Sequence, residues 1–281
     1  MDKTYFKQKS LILARQLYPT LDGDSLIQEA ERILAYLVAN DYQNFIGLNL
    51  MSDDILSFTE MLNTPWAIDK PLSLYSYQKD LLTQWQTGAD NVVVHGRSMG
   101  ISMLLCIYSL WLTAFKSDVH IGIVCPNARV GADMATRICE FHNLSNFKLP
   151  DITKYNKNAV ELANGNKIRF LTPSTYLVGI TFSHVFADAA SLISFADDEN
   201  FYSTIMFANT GQSLITGTPG FNVGIFYDMV SNQVLFKNQK TFLPYSVHPN
   251  YSPEWERTMR IQMGNEEFDN QYDCEFKDAQ A

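Results

Sequence analysis

Excess basic charge, paired cysteines and a long apolar run are all lacking from this chain. Its 30 acidic residues outnumber the 21 basic ones, for a formal net charge of -9. A module that grips nucleic-acid phosphates unaided carries a basic face, so any nucleic acid has to be held with the help of another domain, subunit or partner. There are only four cysteines, Cys106, Cys125, Cys139 and Cys274, with no CxxC pair and no histidine at ligand spacing. That argues against zinc and fits a reducing cytoplasm; three of the four fall in apolar stretches and are expected to be buried thiols. Lys3, Lys7 and Lys9 are followed by no sustained apolar region, so no signal peptide is expected, and the run from Ile101 to Phe115 is too short and too polar at its flanks for a membrane span. Repeats and low-complexity tracts are missing as well. With 46% hydrophobic and 18% charged residues, the composition excludes a disordered chain.

What remains is a chain of 281 residues with 18 Phe and 14 Tyr, enough for one large α/β domain or a core with a small appendage. The first 70 or so residues read as helical. Asp24 or Ser25 can cap a segment whose apolar positions, Leu26, Ile27, Ile33, Leu34, Tyr36, Leu37 and Val38, recur near helical period. A short helix is expected over 53–62, before Pro65 and Pro71 punctuate the chain. From Ser73 the texture becomes alternating strands and helices. Helix 77–85 precedes the β-branched run 91–95, a buried strand bounded by Gly88 and Gly96. Helix 100–115, strand 120–125 and helix 128–141 follow. Segments 161–163 and 167–171, joined at Asn164-Gly165, read as a hairpin. Strand 184–187 ends at Asp188, and strand 213–216 ends at Thr218-Pro219-Gly220. The last 40 or so residues read as helical and carry Tyr251, Trp255, Phe268, Tyr272 and Phe276. Asp197, Asp198 and Glu199 read as a charge run in a solvated loop. Alternation of this kind predicts a largely parallel sheet covered by helices on both faces.

Gly96-Arg97-Ser98-Met99-Gly100-Ile101-Ser102 sits between a strand and a helix, the setting of a phosphate-binding loop. Successive backbone N–H groups and the positive end of the helix favour an anion there. The lysine that precedes the Ser/Thr in such loops is here Ile101. Further along, Asp188 closes an apolar strand where a magnesium-holding carboxylate belongs, so that Ser102 binds Mg²⁺ on one side and Asp188 orients its waters on the other. Thr216 and Thr218, at the end of a third strand, are placed to sense the γ-phosphate. Tyr77 and Gln78 lie on the helix ahead of the loop, where an amide can read adenine. Each has a bland alternative: a strand-end turn residue for Asp188, a solvated helix residue for Gln78. The order of all four along the chain is what carries the reading.

In that order the chain resembles the ATPase domain of the large terminase subunit of tailed bacteriophages, closest to the T4-like type. The resemblance runs from about Leu74 to Phe276. Tyr77-Gln78-Lys79-Asp80-Leu81-Leu82 is similar to the family's adenine motif, and Arg97 to Ser102 to its variant Walker A. Leu162 to Ile168 resembles the hairpin before its "RG" element, Thr216-Gly217-Thr218-Pro219 its coupling motif, and the C-terminal aromatic helices its lid. The resemblance implies an ASCE-type P-loop NTPase core over 71–235, with a helical region over 1–70 and a lid over 236–281. It also implies ATP and Mg²⁺ as ligands, and Arg97 and Asp188 as the catalytic pair. Its implied partners are double-stranded DNA, a portal and a small terminase subunit in an oligomeric ring. The location implied is the host cytoplasm. The family's nuclease domain is not expected in this chain, because no cluster of three acids on strand ends follows the lid; either the sequence is part of a longer protein or the two activities lie on separate chains, the second implying a separate nuclease chain as partner.

Three positions depart from the family. Ile101 replaces the Walker A lysine, Val178 the arginine of the "RG" element, and Ala189 the glutamate that positions the attacking water. Phosphoryl transfer rests on positioning and charge stabilisation, so hydrolysis is expected to be impaired unless Arg97 or a neighbour's arginine compensates. Two further readings stay open: a catalytically inactive phage assembly module, and a helicase-type motor fragment, for which the chain has no room for a second motor domain. A Rossmann dehydrogenase is excluded because no GxGxxG follows the first core strand.

Overall fold

A computed structural model describes residues 22–28, 31, 51–65, 70–173, 179–193, 195–231 and 239–279. The chain divides into two units, Met1–Asp53 and Asp54–Ala281. In the first, residues 23–28 are helical and Leu26 N–H donates to the Asp22 carbonyl at 2.9 Å. That helix opens ahead of the expected caps Asp24 and Ser25, while Ile33, Leu34, Tyr36, Leu37 and Val38 lie outside the described residues.

The second unit begins with α1 (Ile55–Thr59), whose cap Asp54 accepts from the N–H groups of Leu56 and Ser57. Instead of one helix over 53–62, the chain thus restarts at Asp54, where a carboxylate takes the first orphan donors. α2 (Ser76–Gln86), β1 (Asn91–His95), α3 (Ile101–Phe115), β2 (His120–Val124) and α4 (Ala128–Asn143) follow. Next come β3 (Ile152–Asn156), β4 (Ala159–Leu162), β5 (Lys167–Leu171) and β6 (Phe182–Ala187). The chain continues through α5 (Asp198–Phe207), β7 (Asn209–Gly217), α6 (Ile225–Ser231), β8 (Gln239–Leu243), α7 (Pro253–Met263) and α8 (Asn265–Tyr272).

The strands form one eight-stranded sheet in the order β3-β4-β5-β2-β6-β7-β1-β8. From β5 to β8 neighbouring strands are parallel, and only β3–β4 and β4–β5 pair antiparallel. Val92, Val93 and Val94 of β1 and Ile121 and Ile123 of β2 are fully buried, as strands with both faces covered must be. α3 is apolar nearly all round and packs among α1, α2 and α4, the behaviour of a helix held inside a domain rather than on its surface. At its C-terminus the β4–β5 turn reaches back. Asn166 Nδ2 donates to the carbonyls of Thr113 (2.9 Å) and Lys116 (2.6 Å), and its Oδ1 accepts from Val119 N–H (2.8 Å).

Further elements besides α1 differ from the sequence expectation. β8 joins the sheet as a parallel edge strand beside β1, although it lies in the segment 236–281 expected to form the lid. β3 supplies the other edge. Asp198 and Glu199 open α5 instead of lying in a loop; acidic residues in a first turn are favoured by the helix dipole.

The register sets up the site. β7 lies between β1 and β6, with Val93 opposite Thr216 and Ala187 opposite Ile215. The carboxyl ends of β1, β7 and β6 therefore meet at one end of the sheet, where ligands bind in open α/β folds.

Candidate functional site

The turn after β1 is held from both sides. Gly96 N–H donates to the Leu243 carbonyl at 2.9 Å and Arg97 N–H to the Gln271 carbonyl at 2.7 Å. A Cβ on Gly96 would lie 2.7 Å from the Tyr272 carbonyl oxygen, so only glycine fits this close approach. Ser98 follows at φ +63°, left-handed without being glycine. Gly100 caps α3 at φ +78°, and a Cβ there would meet Gln78 Nε2 at 2.7 Å. Beneath the turn, the Met99 carbonyl accepts from Tyr77 Oη (2.8 Å) and Gln78 Nε2 (3.1 Å), while Gln78 Oε1 accepts from Tyr75 N–H (3.1 Å). Among the hydrogen bonds of the described residues, none uses the N–H of Ser98, Met99, Gly100, Ile101 or Ser102. Five successive donors at a helix start form a nest for an anion.

Across the sheet, Ser102 Oγ donates to Asp188 Oδ1 at 2.9 Å, and Thr216 Oγ1 lies 3.3 Å from the same oxygen and 3.1 Å from the Ala187 carbonyl. Asp188 is 4% exposed. Burial pushes its carboxyl above the usual carboxylate range, opposed by Ser102, His95 and Thr216. Ala189, next in the chain, is held at φ +53°. Ser98 and Ala189 thus place two strained backbones on one cavity, and such strain clusters at functional sites.

That cavity has a volume of about 470 Å³ and is lined by Arg97, Ser98, Ser102, Asp188, Ala189 and Thr218, among others. Tyr77, Gln78, Met99, Gly100, Ile101 and Thr216 lie behind it, not in its wall. Ile101 is 1% exposed, an apolar core residue. Arg97 is exposed on the cavity and forms no ion pair among the described residues. Val178 lies outside the described residues.

Sequence reasoning missed the wall from the far end of the chain: Glu267, Asn270, Gln271 and Lys277, with Lys277 Nζ paired to Glu267. No local pattern marks these residues, because only the return of the chain past β8 brings them to the loop. It also missed His95, which its place as the polar end of an otherwise apolar run could have flagged. His95 Nδ1 lies 2.9 Å from the Gly96 carbonyl.

No family model matches the chain. Several solved structures do match in fold. The large terminase ATPase domain of Thermus phage P74-26 aligns with a TM-score of 0.57 at 19% identity, over 73% of this chain and 94% of that one. The large terminase of bacteriophage HK97 aligns at 0.63 and 13% identity, over 80% of this chain and 55% of its own length. The large terminase of a thermophilic bacteriophage, in complex with ATP-γ-S, aligns at 0.57 and 9% identity, over 73% of this chain and 53% of that one. The fold is that of a phage large-terminase ATPase domain, a P-loop NTPase fold. This chain spans about half the length of the last two proteins. Within the fold, the nest at 98–102 and the Ser102–Asp188 pair occupy the end of the sheet where β1 and β6 flank β7. No helix of the described residues is long and apolar enough to cross a membrane.

Proposed function

We propose that this domain binds ATP with Mg²⁺ as the ATPase-like domain of a phage DNA-packaging motor, of the large-terminase kind and the T4-like type, and that it turns ATP over slowly. The observation that carries the reading is the cavity walled by Ser98 and Ser102, the two ends of the run of unused N–H groups, and by Asp188, which pairs with Ser102. The large terminase of the thermophilic bacteriophage is known in complex with ATP-γ-S and with ADP, which supports a nucleotide as the anion. A hydroxyl and a carboxylate are hard oxygen donors of the kind Mg²⁺ takes, so Ser102 and Asp188 suit the ion, which when bound would neutralise charge on the outer phosphates. The nest holds the phosphates, Arg97 reaches the cavity as the free cation, and Thr216 and Thr218 link the Asp188 end to β7. Tyr77 and Gln78 brace the loop from behind. In this reading residues 71–235 together with β8 are the core and the helices after β8 the lid. The partners are double-stranded DNA, portal and small terminase subunit in a ring in the host cytoplasm.

Slow turnover follows from what stands at positions 101 and 189. A charge-assisted hydrogen bond contributes about 1.5–3 kcal/mol, and loss of one transition-state donor slows chemistry roughly a hundredfold. Ile101 and Ala189 supply neither. Phosphate release from ATP by the purified chain tests this. Slow Mg²⁺-dependent release that Asp188→Asn abolishes is the expected result; release unaffected by Asp188→Asn contradicts it. The buried Ile101 and the apolar Ala189 also favour a second reading, a module that binds nucleotide without hydrolysing it, and binding without any release would select that one.

A further inference from the structure

The loop 96–102 contains no lysine, and its one cation is Arg97. A second cation lines the same cavity as Ser98, Ser102 and Asp188, and it comes from the far end of the chain: Lys277. Its backbone is fixed to the turn that follows β7. Lys277 N–H donates to the Gly220 carbonyl at 3.0 Å, and its carbonyl accepts from Asn222 N–H at 2.7 Å. Among the described residues its ammonium has one partner, the Glu267 carboxylate on α8. Glu267 and Gln271 are four residues apart and so share a face of that helix, one turn or about 6 Å along its axis. The Gln271 carbonyl holds Arg97 N–H at 2.7 Å, so the Lys277–Glu267 pair stands about one helical turn from the point where the loop docks. Glu267 and Gln271 both line the cavity with Lys277.

The pair is open to solvent: the Lys277 side chain is 21% exposed and that of Glu267 43%. An ion pair so exposed contributes little to stability, and its lysine is a compact charge on a flexible four-carbon stem. A polyphosphate entering a cavity of about 470 Å³ repels Glu267 and attracts Lys277. Its oxygens also offer the ammonium charge-assisted hydrogen bonds. We propose that Lys277 binds the phosphate chain of the nucleotide, and that Glu267 holds the lysine beforehand and gives it up as the nucleotide enters. The inference rests on the nucleotide-binding reading given above. Lys277 is anchored at Gly220 and Asn222, just beyond Thr218, so its engagement also ties the phosphates to the end of β7.

Removing either partner breaks the ion pair, yet the two removals change binding in opposite directions if Lys277 serves the phosphates. The readouts for each variant are ATP-γ-S affinity with Mg²⁺ by calorimetry and the thermal midpoint. Lys277→Met is expected to weaken ATP-γ-S at least about tenfold, and Lys277→Arg to stay within about threefold of wild type. Glu267→Gln is expected to tighten it at least about threefold. In the Lys277→Met background Glu267→Gln loses most of that gain, which separates release of the lysine from simple relief of repulsion. All variants are expected to melt close to wild type. Equal weakening by Lys277→Met and Glu267→Gln would overturn the proposal, because the pair would then only fasten the chain end. Unchanged affinity in Lys277→Met overturns it, as does the full gain from Glu267→Gln without the lysine. A fall in melting temperature in step with the lost affinity of Lys277→Met marks a structural role and overturns it as well. If wild-type protein binds no ATP-γ-S, the nucleotide-binding reading fails and this proposal with it, a result distinct from all of these.

Discussion

Gln78 is only 4% exposed, and both ends of its amide are committed to backbone, one to Met99 and one to Tyr75. The sequence puts this residue beside the loop, as the structure does, but offers adenine as its ligand. An amide's donor and acceptor suit a base edge and a peptide equally well, and only geometry decides between them. The geometry predicts that Gln78→Ala lowers unfolding stability by about 1–3 kcal/mol in urea titration, because buried groups lose their partners. It also predicts equal weakening of ATP and GTP binding; a loss confined to ATP would restore the base-reading role. Ala189 is a second residue-scale case. Its departure from the family pattern is legible in the sequence, but its left-handed backbone at φ +53° is not. Ala189→Gly removes that strain and is expected to raise stability by roughly 0.5–1 kcal/mol, visible as a higher melting temperature; a lower one would count against strain at this turn.

At the scale of elements, the inner strands were legible because β1, β2 and β6 are apolar runs between turn residues, and the edges were not. β3 reads Ile-Thr-Lys-Tyr-Asn and β8 Gln-Lys-Thr-Phe-Leu. Edge strands face water along much of their length, so they carry neither a buried run nor a strict alternation. The inner strands make a pH prediction. His120 on β2 and His184 on β6 are near neighbours in the sheet, Ile121 being the register partner of His184. Burial pulls both imidazoles from 6.5 down to about 4. The unfolded chain therefore takes up protons first as pH falls, and these histidines remove stability progressively between about pH 6.5 and 4. Asp188, held above the usual carboxylate range, acts in the opposite sense, so the informative quantity is the difference between proteins. The urea midpoint of His184→Gln should fall less from pH 7 to pH 5 than that of wild type; an identical fall would contradict a half-buried neutral His184.

On the scale of the whole molecule, what the sequence carried was order: loop, acid-ended strand and threonine-ended strand in succession, each at the same end of a parallel sheet. What it did not carry was the closing wall. Gln271 and Leu243 accept from the first two N–H groups of the loop, and Lys277 lines the cavity from the chain's far end. Contacts between residues so far apart in sequence have no local signature. The same distance explains why the sequence offered Arg97 or a neighbour's arginine as the replacement cation and passed over Lys277. The central claim is that the turn at 96–102 holds a triphosphate although the lysine position is a buried isoleucine. Calorimetric titration of the purified chain with ATP-γ-S and Mg²⁺ tests it most directly. The account predicts saturable binding at one site per chain that weakens when Ser102 is changed to alanine. No binding at millimolar nucleotide, or binding indifferent to Ser102→Ala, would contradict it.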